Sequence, residues 1–175
     1  MPFEQFIARF NELGWKETRS ATTLNHPKLP EDNYGFIEMY CNDENCDCRR
    51  VIFEVVSEKR RKPVAYVSFG WENAAFYTRW LGENDLVTVK QLQGPILNPG
   101  SPQSKLAPAI LELAKDILQD QNYVARIKRH YIMFKETVDR KPGQILEKAE
   151  TTTPALSERK ALKSRKRHRP RSADN

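Results

Sequence analysis

Cys41, Cys46 and Cys48 are the only cysteines in the chain, and they fall within the eight residues Cys-Asn-Asp-Glu-Asn-Cys-Asp-Cys. Thiolates are soft, strongly donating ligands, and three of them fill three corners of a tetrahedral zinc site. Iron–sulfur binding also uses clustered cysteines, but it ranks below zinc here. A closed site needs a fourth ligand. His130 is the first choice, because it lies among Tyr123, Ile127, Tyr131 and Phe134 on the inward face of a helix, where an imidazole needs a polar partner. His26, in a loop before the first expected strand, is the second. Asp43, Glu44 and Asp47 are possible oxygen donors within the cluster itself. A water in the fourth position would instead make the site open and potentially catalytic.

Arg49 and Arg50 follow Cys48 directly. Positive charge there is expected to lower the thiol pKa values and to offset the negative charge of a multi-thiolate zinc centre. The pair can also serve as donors to sulfur or to Asp47. Cysteine phosphatase chemistry is excluded, because it needs an arginine six positions after the cysteine. Asp47, Ile52 and Glu54 occupy those positions. A Cys–His dyad with His130 stays open, although three clustered thiols suit a metal better than a nucleophile. Glu72, Glu83 and Asp85 do not have the spacing of an acid–base pair, and no glycine-rich phosphate loop is present. Whether the chain is an enzyme stays undecided at this level.

The elements that must position the cluster follow from periodicity. Phe3, Phe6, Ile7, Phe10 and Leu13 recur at helical spacing, and Gly14 reads as the cap that ends the helix. Residues 20–33 read as a loop. Tyr34–Cys41, Cys48–Ser57 and Val64–Phe69 have strand character, with Lys59–Pro63 as a charged turn, so a three-stranded antiparallel meander is expected. The cluster then occupies the connection between its first two strands. Asn73–Leu81 reads as a short helix, with Trp71, Phe76, Tyr77 and Trp80 packing it onto the sheet rather than stacking on bases. Leu86–Leu92 alternates like a fourth strand. Two helices follow, the first on Leu106, Ile110, Leu113, Ile117 and Leu118, the second running from Tyr123 to Val138 with Asn122 as its cap. The fold class expected is α+β: a small antiparallel sheet, an N-terminal helix and a C-terminal helical pair.

The net charge of +6 is confined to one end. Residues 1–140 carry 19 Lys/Arg and 19 Asp/Glu, whereas residues 141–175 carry ten and four. Two regions are therefore expected: a zinc-binding α+β domain over residues 1–140 and a disordered basic tail over 141–175. Residues 159–171 hold eight Lys/Arg and no acid, a composition suited to DNA or RNA phosphates, or to targeting. No membrane-spanning run and no secretory signal stand out, and an odd number of cysteines argues against a disulfide framework, so a cytoplasmic setting is expected, or a nuclear one in a eukaryote.

The stretch Gly35–Val51, with its Tyr-Cys-x4-Cys-Asp-Cys-Arg-Arg core, resembles a group of small uncharacterised prokaryotic proteins. Ser104-Lys105 and Arg129-His130-Tyr131 with Phe134-Lys135 look similar too, so the likeness covers residues 29–136 and leaves out the tail. The resemblance implies no activity. It implies that the cysteines and the histidine belong to one recurring constellation. The expectation that emerges is a structural-zinc interaction module, nucleic-acid-associated through its tail. The alternatives are a zinc hydrolase with an open metal position and a protein-binding adaptor.

Overall fold

The computed structural model describes residues 2–139; the tail, with its basic run 159–171, lies outside them. Along the chain come β1 (Phe3–Gln5), α1 (Phe6–Arg9), α2 (Asn11–Glu17), β2 (Arg19–Thr23) and β3 (Asp32–Cys41). They are followed by β4 (Arg50–Ser57), β5 (Lys62–Gly70), α3 (Ala74–Leu81), α4 (Leu86–Gln93), β6 (Ile96–Leu97), α5 (Ala107–Ile117) and α6 (Gln121–Asp139). The class is mixed α and β, built on an antiparallel sheet of six strands.

The expected meander of β3, β4 and β5 is the middle of that sheet. Alternation drives it: Tyr34, Phe36, Glu38 and Tyr40 share one face of β3 and are buried, as are Val51, Phe53 and Val55 of β4. Phe36 pairs with Val55 and Glu38 with Phe53. The β4–β5 turn is held by Asp32, whose carboxylate accepts from the Ser57 hydroxyl and from the Lys59 amide at 3.1 Å. The sheet extends further than the sequence reading, because β3 is ten residues long and has a second edge to fill. β1 pairs with its end, Phe3 opposite Cys41, and β2 with its start, Thr23 opposite Asp32. Residues 19–23 are thus a strand, not loop.

Two local readings are corrected. The N-terminal segment is not one helix closed by Gly14. It is a strand and two short helices broken at Phe10 (φ −126°, ψ 63°), and Gly14 lies inside the second. Gly14 is there for contact: a Cβ at that position would sit 2.6 Å from the Ile7 side chain. Residues 86–93 form a helix, not a fourth strand. Asp85 decides this by accepting from the amides of Val87 (2.9 Å) and Thr88 (3.3 Å), and Gly94 closes the other end.

At the other rim of the sheet only two residues of β6 pair with β5. The segment that follows β6 satisfies more of that rim, with the Asn98 amide donating to the Tyr66 carbonyl at 2.8 Å, the Ser104 amide to the Val64 carbonyl at 3.1 Å, and one side chain joining them. The Gln103 amide accepts from the Tyr66 N–H and donates to the Tyr66 carbonyl, both at 3.0 Å, in place of a neighbouring strand.

The core gathers the inward residues of the sheet with Phe6 and with the apolar faces of α5 and α6: Ile110, Ala114, Ile117, Ile127, Phe134 and others. α6 begins under an Asp120 cap, accepting from Asn122 (3.0 Å) and Tyr123 (3.3 Å), so the capping residue lies two positions before the one read from the sequence. α3 and α4 form a smaller cluster around Tyr77, Val89 and Leu92, with Phe76 and Trp80 against it. No helix among the described residues is long and apolar enough to cross a membrane.

Candidate metal centre

β3 ends at Cys41, and β4 opens at Arg50. The connection between them turns on Asp43: its side chain accepts from the Asn45 amide at 3.1 Å and its carbonyl from the Cys46 amide at 3.2 Å. This Asx-type turn brings Cys46 back toward the strand it has just left. Arg49 then takes a left-handed backbone (φ 46°), which a side-chain-bearing residue adopts at a cost, and the chain re-enters the sheet. The result is that the sulfurs of Cys41, Cys46 and Cys48 all lie within 4.8 Å of one another. Cys41 and Cys48 are fully buried and Cys46 partly so, and none is in a disulfide. Such a spacing is compatible with three ligands on one ion.

The electrostatics match that donor set. Burial pushes the Cys46 and Cys48 thiols above their ordinary values; Cys41 pushes Cys46 further, against an opposing hydrogen bond with Cys48, and Cys46 and Cys41 push Cys48 further. A hydrogen bond from the Arg50 backbone lowers Cys48, but burial outweighs it, so the expectation of acidified thiols is corrected. Arg49 is engaged elsewhere, with Asp47 at 3.0 Å and Glu72 at 3.2 Å. Arg50 is the cation that faces the cluster. Burial pulls its pKa down, negative charge on Cys48 would oppose that, and its Nε is a buried donor with no hydrogen-bond partner among the described residues. A divalent ion on three thiolates carries one net negative charge, which the Arg50 guanidinium would balance. The donors and this unpartnered cation therefore fit a bound metal.

His130 is not with the sulfurs. Its ring is buried (1% exposed) and stacked on Phe6 at 4.3 Å. Nδ1 lies 2.7 Å from Glu38 Oε2, and Nε2 lies 2.8 Å from Glu17 Oε2. Both ring nitrogens are thereby engaged by carboxylates, away from the cysteine group. The inward position read from the sequence is right, and the polar partner is a pair of carboxylates. His26 is committed too, its Nδ1 accepting from the amides of Lys28 (3.2 Å) and Leu29 (3.1 Å). Neither Asp43, Glu44 nor Asp47 joins the cysteine group.

α6 nevertheless holds the cysteine connection, through two residues whose part in it the sequence did not reveal. Tyr131 donates to Asp47 Oδ1 at 3.0 Å, and the buried Lys135 donates to the Asp43 carbonyl at 2.6 Å. They stand four apart on one helix face, a spacing visible in the sequence. Glu38 also left a signal: it is a charged residue in the middle of the inward face of β3, between Phe36 and Tyr40. From the other side, Tyr77 donates to the Arg49 carbonyl at 2.9 Å. Beside the connection lies a cavity of about 370 Å³ lined by Asp47, Arg49, Trp71, Glu72, Tyr131 and their neighbours. Comparison of the chain with family models, with curated proteins and with solved structures finds no match in any of the three.

Proposed function

We propose that the chain is a zinc-binding module in which Cys41, Cys46 and Cys48 hold the ion and the ion fixes the β3–β4 connection as a presented surface. The observation that carries this reading is the convergence of three sulfurs within 4.8 Å beside the unpartnered Nε of Arg50. Zinc is the ion of choice because thiolate sites of near-tetrahedral geometry suit it and it brings no redox demand. Ligand thiols must lose their protons to bind, and the energy of doing so orders the segment that carries them. Phosphate contact by residues 159–171 is a separate proposal that rests on their charge alone. Elemental analysis of the purified chain tests the first reading: one zinc per chain is expected, and less than 0.1 in Cys46→Ser. Salt-dependent binding of an oligonucleotide, with and without the basic run, tests the second.

A further inference from the structure

The centre has three ligands from the described residues; His26, His130, Asp43 and Asp47 are engaged elsewhere, and Glu44 does not join the cysteine group. Both nitrogens of His130 face carboxylates, and Nδ1 of His26 caps its own loop. Asp47, which sits between two of the cysteines in the chain, is held by Arg49 Nε at 3.1 Å and by the Tyr131 hydroxyl at 3.0 Å. The Asp43 Oδ1 accepts from the Asn45 amide in its turn at 3.1 Å. The His130 and Asp47 contacts draw on β3, α2 and α6, and those of His26 and Asp43 on the amides of their own loops, so recruiting any of these groups would break existing hydrogen bonds to complete the metal. Cys41 and Cys48 are buried, so the one cysteine with any exposure is Cys46, and access to the centre is from its side.

We infer that a metal held by Cys41, Cys46 and Cys48 keeps one coordination position for a ligand from outside the chain, and that this position takes a small thiol. This rests on the zinc reading above. Sulfur is favoured for two reasons. Three thiolates make the ion soft, and a soft ion prefers a further soft donor over a carboxylate or an amine. Arg50, whose buried Nε has no partner among the described residues, would hold a four-sulfur centre to one net negative charge rather than two. In the binding step the thiol's S–H bond breaks, the sulfur keeps the electron pair and forms the metal–sulfur bond, and the proton passes to solvent. No oxidant or reductant is needed.

The test uses the full chain loaded with cobalt(II), whose visible bands report the ligand set. One equivalent of cobalt with sulfur-to-metal charge transfer is expected from the three cysteines. Adding 2-mercaptoethanol should strengthen the charge-transfer band and shift the d–d bands, saturably, with the cobalt retained through desalting. A spectrum that stays unchanged, or that collapses to that of free cobalt, overturns the inference. So does a chain in which His168, the histidine within the basic run 159–171, is replaced by alanine (His168→Ala) and whose cobalt spectrum differs before any thiol is added, because the position would then belong to the chain itself. The two readings fail in different ways. No cobalt uptake removes the metal centre altogether, whereas one tightly held cobalt that is blind to thiol removes only the open position.

Discussion

His130 and Glu38 share a hydrogen bond of 2.7 Å across the interior, with side chains 1% and 4% exposed. The same imidazole reaches Glu17 at 2.8 Å, so one ring joins α2, β3 and α6. Tyr40 adds its hydroxyl to Glu38 at 2.7 Å, yet Glu38 Oε1 still has no partner among the described residues. Removing the imidazole would strand this carboxylate. His130→Ala is expected to destabilise the fold by roughly 3–5 kcal/mol, the usual cost of deleting one member of a buried pair. Urea unfolding measures it. The same variant should keep its full zinc content, an outcome opposite to that of a ligand.

Acid should weaken the same junction. Burial raises the Glu17 pKa, but the His130 hydrogen bond and the charges of Arg129, His130 and Arg126 more than offset it, so the folded value lies below the ordinary one. The unfolded chain then binds the proton more readily. The stabilisation is present in full above the ordinary carboxylate range and is lost as pH falls through the lowered folded value. Asp32 acts in the same direction, since Ser57 and the amides of Lys59 and Asn33 outweigh its burial. Glu17→Gln should flatten the acid limb of a stability–pH profile between pH 2 and 5.

Metal affinity should fall steeply with acid for a different reason. Burial raises the Cys46 and Cys48 thiols, so metal binding must expel protons that these two sulfurs hold more tightly than free cysteines do. Competition with a chromophoric chelator across pH 6–8 should show zinc affinity rising with pH. An affinity independent of pH would mean that the thiols are not the ligands.

The latch from α6 can be tested without touching a cysteine. Tyr131→Phe deletes the donor to Asp47 and retains the ring that meets Trp71 edge-on at 5.2 Å. A stability loss of about 0.5–1.5 kcal/mol is expected, together with faster zinc release to a chelator. Unchanged release kinetics would show that the contact does not steady the connection.

Gly70 offers a test of the other support. An added Cβ would overlap the Tyr77 hydroxyl and come within 2.5 Å of the Leu92 carbonyl, which ties β5 to both α3 and α4. Gly70→Ala should cost about 1–3 kcal/mol through overpacking. It should also displace Tyr77 from the Arg49 carbonyl, which the tyrosine's near-ultraviolet signal would report.

The meander, the C-terminal helix pair and the place of the cysteines were legible because each rests on local pattern: alternation in β3 and β4, helical spacing in α5 and α6, and three thiols in eight residues. What stayed hidden depends on distant partners or on caps. Residues 19–23 become a strand only because β3 is long enough to take them. Alternation at 86–92 lost to the Asp85 cap and Gly94. His130 was placed on the correct face, but its spacing says only that it needs a polar partner. The choice between sulfur and carboxylate was made by Glu38, 92 residues earlier in the chain.

The Gln103 amide against Tyr66 has a consequence for life in a crowded solution. A rim strand with open amides and carbonyls is a template on which any similar chain can crystallise, one copy after another. Here the template is already occupied by a group tethered to the same molecule, at a local concentration no free chain can match. Edge-to-edge growth must first evict that tether, so the rim of β5 is a terminus rather than a seed.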